Sequence, residues 1–238
     1  MSEFERNIII SDQITPQLAG DIIKRIQDIN IFDSQEEDEV EAKRSILAEQ
    51  IKSRTTGSDE EVYSLVDLIL PPYQREPIII TVNSIGGNAY DGFAIIGAME
   101  MSETPIYTVC TGSAMSMALL LFVAGDVRFA HRMATFMYHD SSWGGGGTNT
   151  QMQRHIKEIE RLNKVYDNYL LENTSLPQEL LDDVRGKVDN LFFDAYQAQE
   201  YGVADVVLPD DNTVNIKVIA EQLLAEAEGS EKNEKNAL

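Results

Sequence analysis

Three short polar segments of this 238-residue chain interrupt apolar stretches and carry groups that could do chemistry. Residues 83–87 are Asn-Ser-Ile-Gly-Gly, residues 112–118 are Gly-Ser-Ala-Met-Ser-Met-Ala, and residues 138–140 are Tyr-His-Asp. A serine hydroxyl is a poor nucleophile unless a base within about 3 Å takes its proton, and imidazole suits that task near neutral pH. Glycine amides and the free amides at a helix N-terminus can hold a developing oxyanion. Together the segments favour nucleophilic serine chemistry.

Each segment also has a simpler structural interpretation. A Gly-Gly pair after a strand is usually a turn, a serine before a helix is usually a cap, and a lone histidine at a strand end is more often structural. Metal or phosphate sites are weaker alternatives, because the sequence has no HExxH, no Cys/His cluster and no GxxxxGK[ST]. We therefore predict no metal and no cofactor.

The charge balance limits the partners that the chain can have. It has 40 Asp and Glu against 19 Lys and Arg, a formal net charge of −21. Such a surface repels phosphate backbones and anionic lipids, so we predict no nucleic-acid and no membrane partner. No stretch approaches the roughly 18 apolar residues of a membrane span, and the start of the chain does not resemble a signal peptide. We therefore expect a cytoplasmic protein.

Three further residues could suggest chemistry and are given structural interpretations. Cys110, the only cysteine, lies in an apolar run and is predicted to be a small buried side chain. His131 and His155 lie outside any motif, and we predict that both are surface residues.

The hydrophobic pattern alternates between strands and helices. Strands are predicted at 8–10, 78–82, 106–110, 127–129, 135–138 and 204–208. Helices are predicted from Pro16 to about residue 29, at 62–69, 90–101 and 117–124, after Gly147, and at 179–184 and 195–201. Repeated β-turn-α units indicate an α/β fold with parallel strands.

We expect residues 1–225 to form one domain. A charged surface insertion at about 30–74 interrupts it; its acidic run is predicted to be a solvated face, followed by a charged helical stretch that residues 56–59 end. The polar segment 226–238 is predicted to be a disordered tail.

The motifs, taken in order, resemble the ClpP family from about residue 78 to residue 207, with a weaker match over 7–29. Residues 83–87 are similar to the family's Asn-Ser-Pro-Gly-Gly, and residues 112–118 to its Gly-x-Ala-Ala-Ser-Met-Gly-Ala. Further similarities lie in the segments 136–139, 144–150 and 198–205. The stretch 144–150 resembles the Gly-rich strand-turn before the family's long handle helix.

This resemblance implies a ClpP/crotonase-type spiral with a protruding handle helix. It also implies a serine endopeptidase that assembles into two stacked, heptameric rings, hydrolyses peptides or unfolded proteins, and has an ATP-driven unfoldase as a possible partner. By this resemblance Ser116 is the nucleophile, His139 is the base, and the amides of Gly86 and Met117 hold the oxyanion.

The third member of the triad has two candidates. An ungapped count from the motif at 198–205 places Asn190 there, and a one-residue insertion would bring Asp189 into register. We predict Asp189, with Asn190 as the alternative. Two other functions remain open: a catalytically weak or inactive ring protein of this fold, and an acyl-CoA reaction on the related crotonase scaffold.

Overall fold

The computed structural model describes residues 6–142, 144–187, 190–208, 215–220 and 222–223. Its strands are β1 Asn7–Ile10, β2 Ile78–Ser84, β3 Ile106–Met115, β4 Val127–His131, β5 Thr135–His139, β6 Asn190–Asp194 and β7 Val206–Leu208. Its helices are α1 Pro16–Lys52, α2 Asp59–Ile69, α3 Ala89–Glu100, α4 Met117–Val123, α5 Asn149–Asn173, α6 Gln178–Lys187 and α7 Ala195–Glu200. None of the helices in these ranges has the length and apolarity needed to span a bilayer.

One sheet contains all of these strands, in the order β1-β2-β3-β4-β7 along its main path, with neighbouring strands parallel. The long strand β3 divides its pairing: residues 107–110 pair with β4, and residues 113–115 pair with β5. Strand β6 then pairs antiparallel with β5. The carboxyl end of β3 therefore leaves the main path and runs beside β5.

Burial on both faces explains why the strands are apolar throughout. In β2, for example, Ile78, Ile80 and Val82 are fully buried in the large core that also encloses all of α4. The other face of the sheet packs against a helical segment at residues 216–220 through Ile79, Tyr107, Phe129 and their neighbours.

The N-terminal helix differs from the predicted one in length. Thr15 caps it and Pro16 begins it as predicted, but α1 continues to Lys52 instead of loosening at about residue 30. Helix α2 packs on its far end through Val62 and Val66, which contact Ala48. The stretch that we predict to be an insertion is thus the second half of α1 followed by α2. Its residues favour helix by intrinsic propensity, which a search for apolar periodicity undervalues.

Asp33 is a buried charge on α1, at the start of the acidic stretch. Arg6 donates two hydrogen bonds to its carboxylate, at 2.9 and 2.5 Å, and Tyr73 and Thr104 donate hydroxyl bonds at 2.7 and 2.6 Å. Burial raises the pKa of Asp33, but these bonds and the Arg6 charge outweigh that effect and lower it. The cluster ties α1 to the start of the chain and to the segment before β2.

One further prediction needs correction, and one strand was not predicted. The Gly-rich residues 144–148 form no strand, although Thr148 closes a capping box that begins α5. Strand β6 was not predicted from the sequence. The tail at 226–238 and the candidate Asp189 lie outside the described residues.

Candidate active site

Ser116 occupies the tight turn between β3 and α4. Its φ of 52° and ψ of −130° make it the one non-glycine residue with positive φ in the described part of the chain. Its amide donates to the Met137 carbonyl at 2.8 Å, and its carbonyl accepts from the Leu119 amide at 2.9 Å. The Ser116 side chain makes no capping hydrogen bond to the helix. The interpretation of this serine as a simple helix cap is therefore wrong.

His139 ends β5 and faces this hydroxyl. Its Nε2 lies 2.8 Å from Ser116 Oγ. The parallel pairing of Met115 with Met137 brings the two strand ends together, so that residues 23 positions apart in the sequence are in contact. Burial lowers the pKa of His139, and the negative charge of Asp140 opposes part of that effect. The imidazole is therefore neutral near pH 7 and able to accept a proton.

Gly86 approaches the Ser116 turn so closely that no other residue fits. Its φ is +96°, and a Cβ there would lie 2.6 Å from the Met115 carbonyl oxygen, 2.8 Å from Ser116 Cβ and 3.0 Å from the Met117 nitrogen. The Gly86 amide donates to Ser84 Oγ at 3.1 Å. The Gly86 amide must release Ser84 Oγ before it can donate to an oxyanion. Met117 is the first residue of α4, so its N–H has no acceptor within the helix.

Asn190 lies opposite His139 in the antiparallel pair of β6 with β5. Directly opposed residues in such a pair project from the same face of the sheet. Asn190 is thus the cross-strand neighbour of His139 on that face of the sheet.

A charged network that the sequence did not reveal involves the two neighbours of His139 in the chain, Tyr138 and Asp140. Arg185 on α6 donates to Asp140 at 2.6 Å and, through two nitrogens, to Asp167 on α5 at 2.9 and 2.6 Å. Tyr138 also donates to Asp167, at 2.6 Å, and Asn163 donates to Asp140 at 2.5 Å. Arg185 therefore pairs with the aspartate that directly follows the catalytic histidine candidate.

The remaining candidates are not part of this site. Cys110 is buried as predicted, and burial raises the pKa of its thiol to about 12. His155 is exposed as predicted, whereas His131 is only half exposed and accepts a bond from the Met133 amide at 3.2 Å.

Comparison with known proteins agrees with this architecture. The sequence matches the Clp protease family over residues 34–211. The fold is similar to the solved structure of an asparagine-to-aspartate mutant of ClpP1 from Listeria monocytogenes, with a TM-score of 0.60 and 18% sequence identity over 87% of this chain and 94% of that chain.

The α/β fold is therefore ClpP-like, and the chain belongs to the Clp protease family. The predicted family and fold class are both confirmed. Because the family match begins at residue 34, it includes most of the stretch that we predict to be an insertion.

Proposed function

We propose that this protein is a serine endopeptidase that hydrolyses peptides and unfolded proteins. The observation that supports it most strongly is the 2.8 Å contact between His139 Nε2 and the hydroxyl of Ser116, a residue held at positive φ. Strained backbone of this kind is typical of functional sites, where surrounding hydrogen bonds maintain it.

The proposed reaction follows the usual course of acyl transfer. Ser116 Oγ attacks the peptide carbonyl carbon while His139 Nε2 accepts the hydroxyl proton. The carbonyl oxygen becomes an oxyanion that the Met117 N–H and, after leaving Ser84, the Gly86 N–H hold. His139 then gives the proton to the leaving amine as the C–N bond breaks. Water attacks the resulting ester by the same steps and releases Ser116.

For the third triad position we favour Asn190 over Asp189. Asn190 lies opposite His139 in the strand pair, and the ungapped sequence count also places it there. A neutral amide can orient the imidazole, but it stabilises the imidazolium less than a carboxylate does. We therefore expect this enzyme to be slower than one with aspartate at this position.

Assembly into two stacked, heptameric rings, with an ATP-driven unfoldase for large substrates, is the quaternary part of the proposal. Membership of the Clp protease family supports it. Most side chains in the first half of α5, residues 149–160, are exposed, as a handle that contacts another ring requires. Sedimentation of the purified protein tests this part separately, and a monomer at all concentrations would contradict it.

Hydrolysis of fluorogenic peptides and of an unfolded protein tests the proposed activity. We expect cleavage by the wild type and its loss in Ser116→Ala. Ser113→Ala is the matched control, because Ser113 lies three residues before Ser116, on β3, and its hydroxyl donates to Asn83 Oδ1 at 3.3 Å. Equal cleavage by wild type and Ser116→Ala would overturn the proposed nucleophile.

A further inference from the structure

We propose that Tyr166 on α5 is a positioning residue that fixes the oxyanion-binding amide through the carbonyl of the nucleophile. The inference rests on the proposed function. Tyr166 Oη donates to the Ser116 carbonyl oxygen at 2.7 Å, across 50 residues of sequence. The Tyr166 side chain is 7% exposed, so this hydroxyl bond is made in the interior.

The geometry of the peptide group links this bond to catalysis. The Ser116 carbonyl and the Met117 N–H belong to one planar, trans peptide unit, so they point in opposite directions. A bond that fixes the oxygen on one side therefore fixes the direction of the N–H on the other. Hydrogen bonds in a chain also polarise one another, so a donor to the carbonyl strengthens the N–H as a donor.

The Ser116 carbonyl has a second hydrogen-bond donor. The Ser116 carbonyl also accepts from the Leu119 amide at 2.9 Å, which holds it from within α4 only. Because the backbone of Ser116 is strained, rotation of the Ser116–Met117 peptide unit toward an ordinary conformation would release that strain. Tyr166 opposes that rotation from a separate helix.

Packing fixes Tyr166 itself. Its ring lies 5.5 Å, centroid to centroid, from that of Tyr138, the residue before His139. The next residue on α5, Asp167, accepts the Tyr138 hydroxyl at 2.6 Å. One helix thus supports the backbone of the nucleophile and the strand of the base, and Tyr166 is the member that contacts the nucleophile directly.

The test compares Tyr166→Phe with Tyr169→Phe in the assembled protein. Tyr169 lies one turn further along α5 and bonds Glu100, so its variant loses a tyrosine hydroxyl away from Ser116. For Tyr166→Phe we expect peptide kcat to fall about tenfold or more, with KM within about twofold and the acid limb of the pH profile unchanged. We expect affinity for a peptide boronate, which forms a tetrahedral adduct on serine, to fall in parallel. Tyr169→Phe should match the wild type.

The outcomes separate the inference from the proposed function. An active wild type with an equally active Tyr166→Phe, or one altered in KM alone, would overturn the role of Tyr166 and leave the peptidase intact. An inactive, folded wild type would overturn both. If Tyr166→Phe does not melt cooperatively, 4-fluorophenylalanine at position 166 replaces it, because that side chain fills the volume of tyrosine without an O–H. The same loss in kcat is expected from it, and wild-type kcat would contradict the proposal.

Discussion

Asn190 lies directly opposite His139 where β6 pairs antiparallel with β5. This pairing is the structural reason to favour an asparagine as the group that orients the base. It also shows what β6 contributes, since this strand brings a residue 51 positions further along the chain to the histidine.

Two substitutions of Asn190 should change peptide kcat in opposite directions. Asn190→Ala removes the orienting group, so we expect peptide kcat to fall about tenfold or more. Asn190→Asp adds a charge that stabilises the imidazolium, so we expect kcat to rise. Steady-state kinetics measure both, with Asp189→Asn as the neighbouring control. If Asp189→Asn loses activity and Asn190→Ala does not, Asp189 is the third triad member.

Activity should fall as acid protonates His139. The pKa that governs this fall in kcat/KM should lie below the ordinary histidine value of about 6.5, because burial lowers the pKa of His139. Arg185→Met removes the cation that pairs with Asp140, whose charge then acts on the imidazole without opposition and raises its pKa. The fall in kcat/KM should therefore move to higher pH. Asp140→Asn should move it to lower pH.

The control for this charge change is Lys187→Met. Lys187 ends the same helix and pairs with the exposed Asp183. The Lys187→Met variant should therefore have the same pH profile as the wild type. Shifts of the same sign in Arg185→Met and Asp140→Asn would contradict the electrostatic account.

A methyl group at Gly86 should strongly reduce activity because it distorts the Ser116 turn. Gly86→Ala places Cβ within 3.0 Å of three atoms of the Ser116 turn, at a φ that disfavours alanine. We expect kcat to fall about 100-fold or more, as when an oxyanion donor is lost. Gly97→Ala on α3 meets no atom within 4 Å and should keep full activity. Active Gly86→Ala would mean that the turn is not part of the site.

The buried Asp33 should contribute to stability at neutral pH. Asp33→Ala leaves Arg6 without its carboxylate partner, and we expect the free energy of unfolding to fall by about 3 kcal/mol. The folded pKa of Asp33 is lowered, so its contribution is complete above the unfolded value of about 4 and is lost as pH falls through the folded pKa.

Chemical denaturation across pH measures this effect. The difference between wild type and Asp33→Asn should shrink as the solution is acidified. Glu39→Ala, which breaks an exposed pair with Lys43, should leave the denaturation midpoint almost unchanged. A difference for Asp33→Asn that does not depend on pH would contradict a charged Asp33.

The contact between Ser116 and His139 could be anticipated from the sequence because both lie at the carboxyl ends of strands, β3 and β5, that pair in parallel. The bond from Tyr166 to Ser116 could not, since it joins side chain to backbone across 50 residues and leaves no local pattern. The continuity of α1 through residue 30 was missed for a different reason. Residues 30–52 have weak apolar periodicity, whereas charged residues and alanine sustain the helix by propensity.

Labelling with a fluorescent fluorophosphonate tests the central claim most directly, because the probe forms a covalent bond only with an activated serine. The purified wild type is compared with Ser116→Ala and His139→Ala. We predict labelling of the wild type, none in Ser116→Ala and a sharp decrease in His139→Ala. A folded, assembled wild type that remains unlabelled, or labelling that persists in Ser116→Ala, would contradict the account.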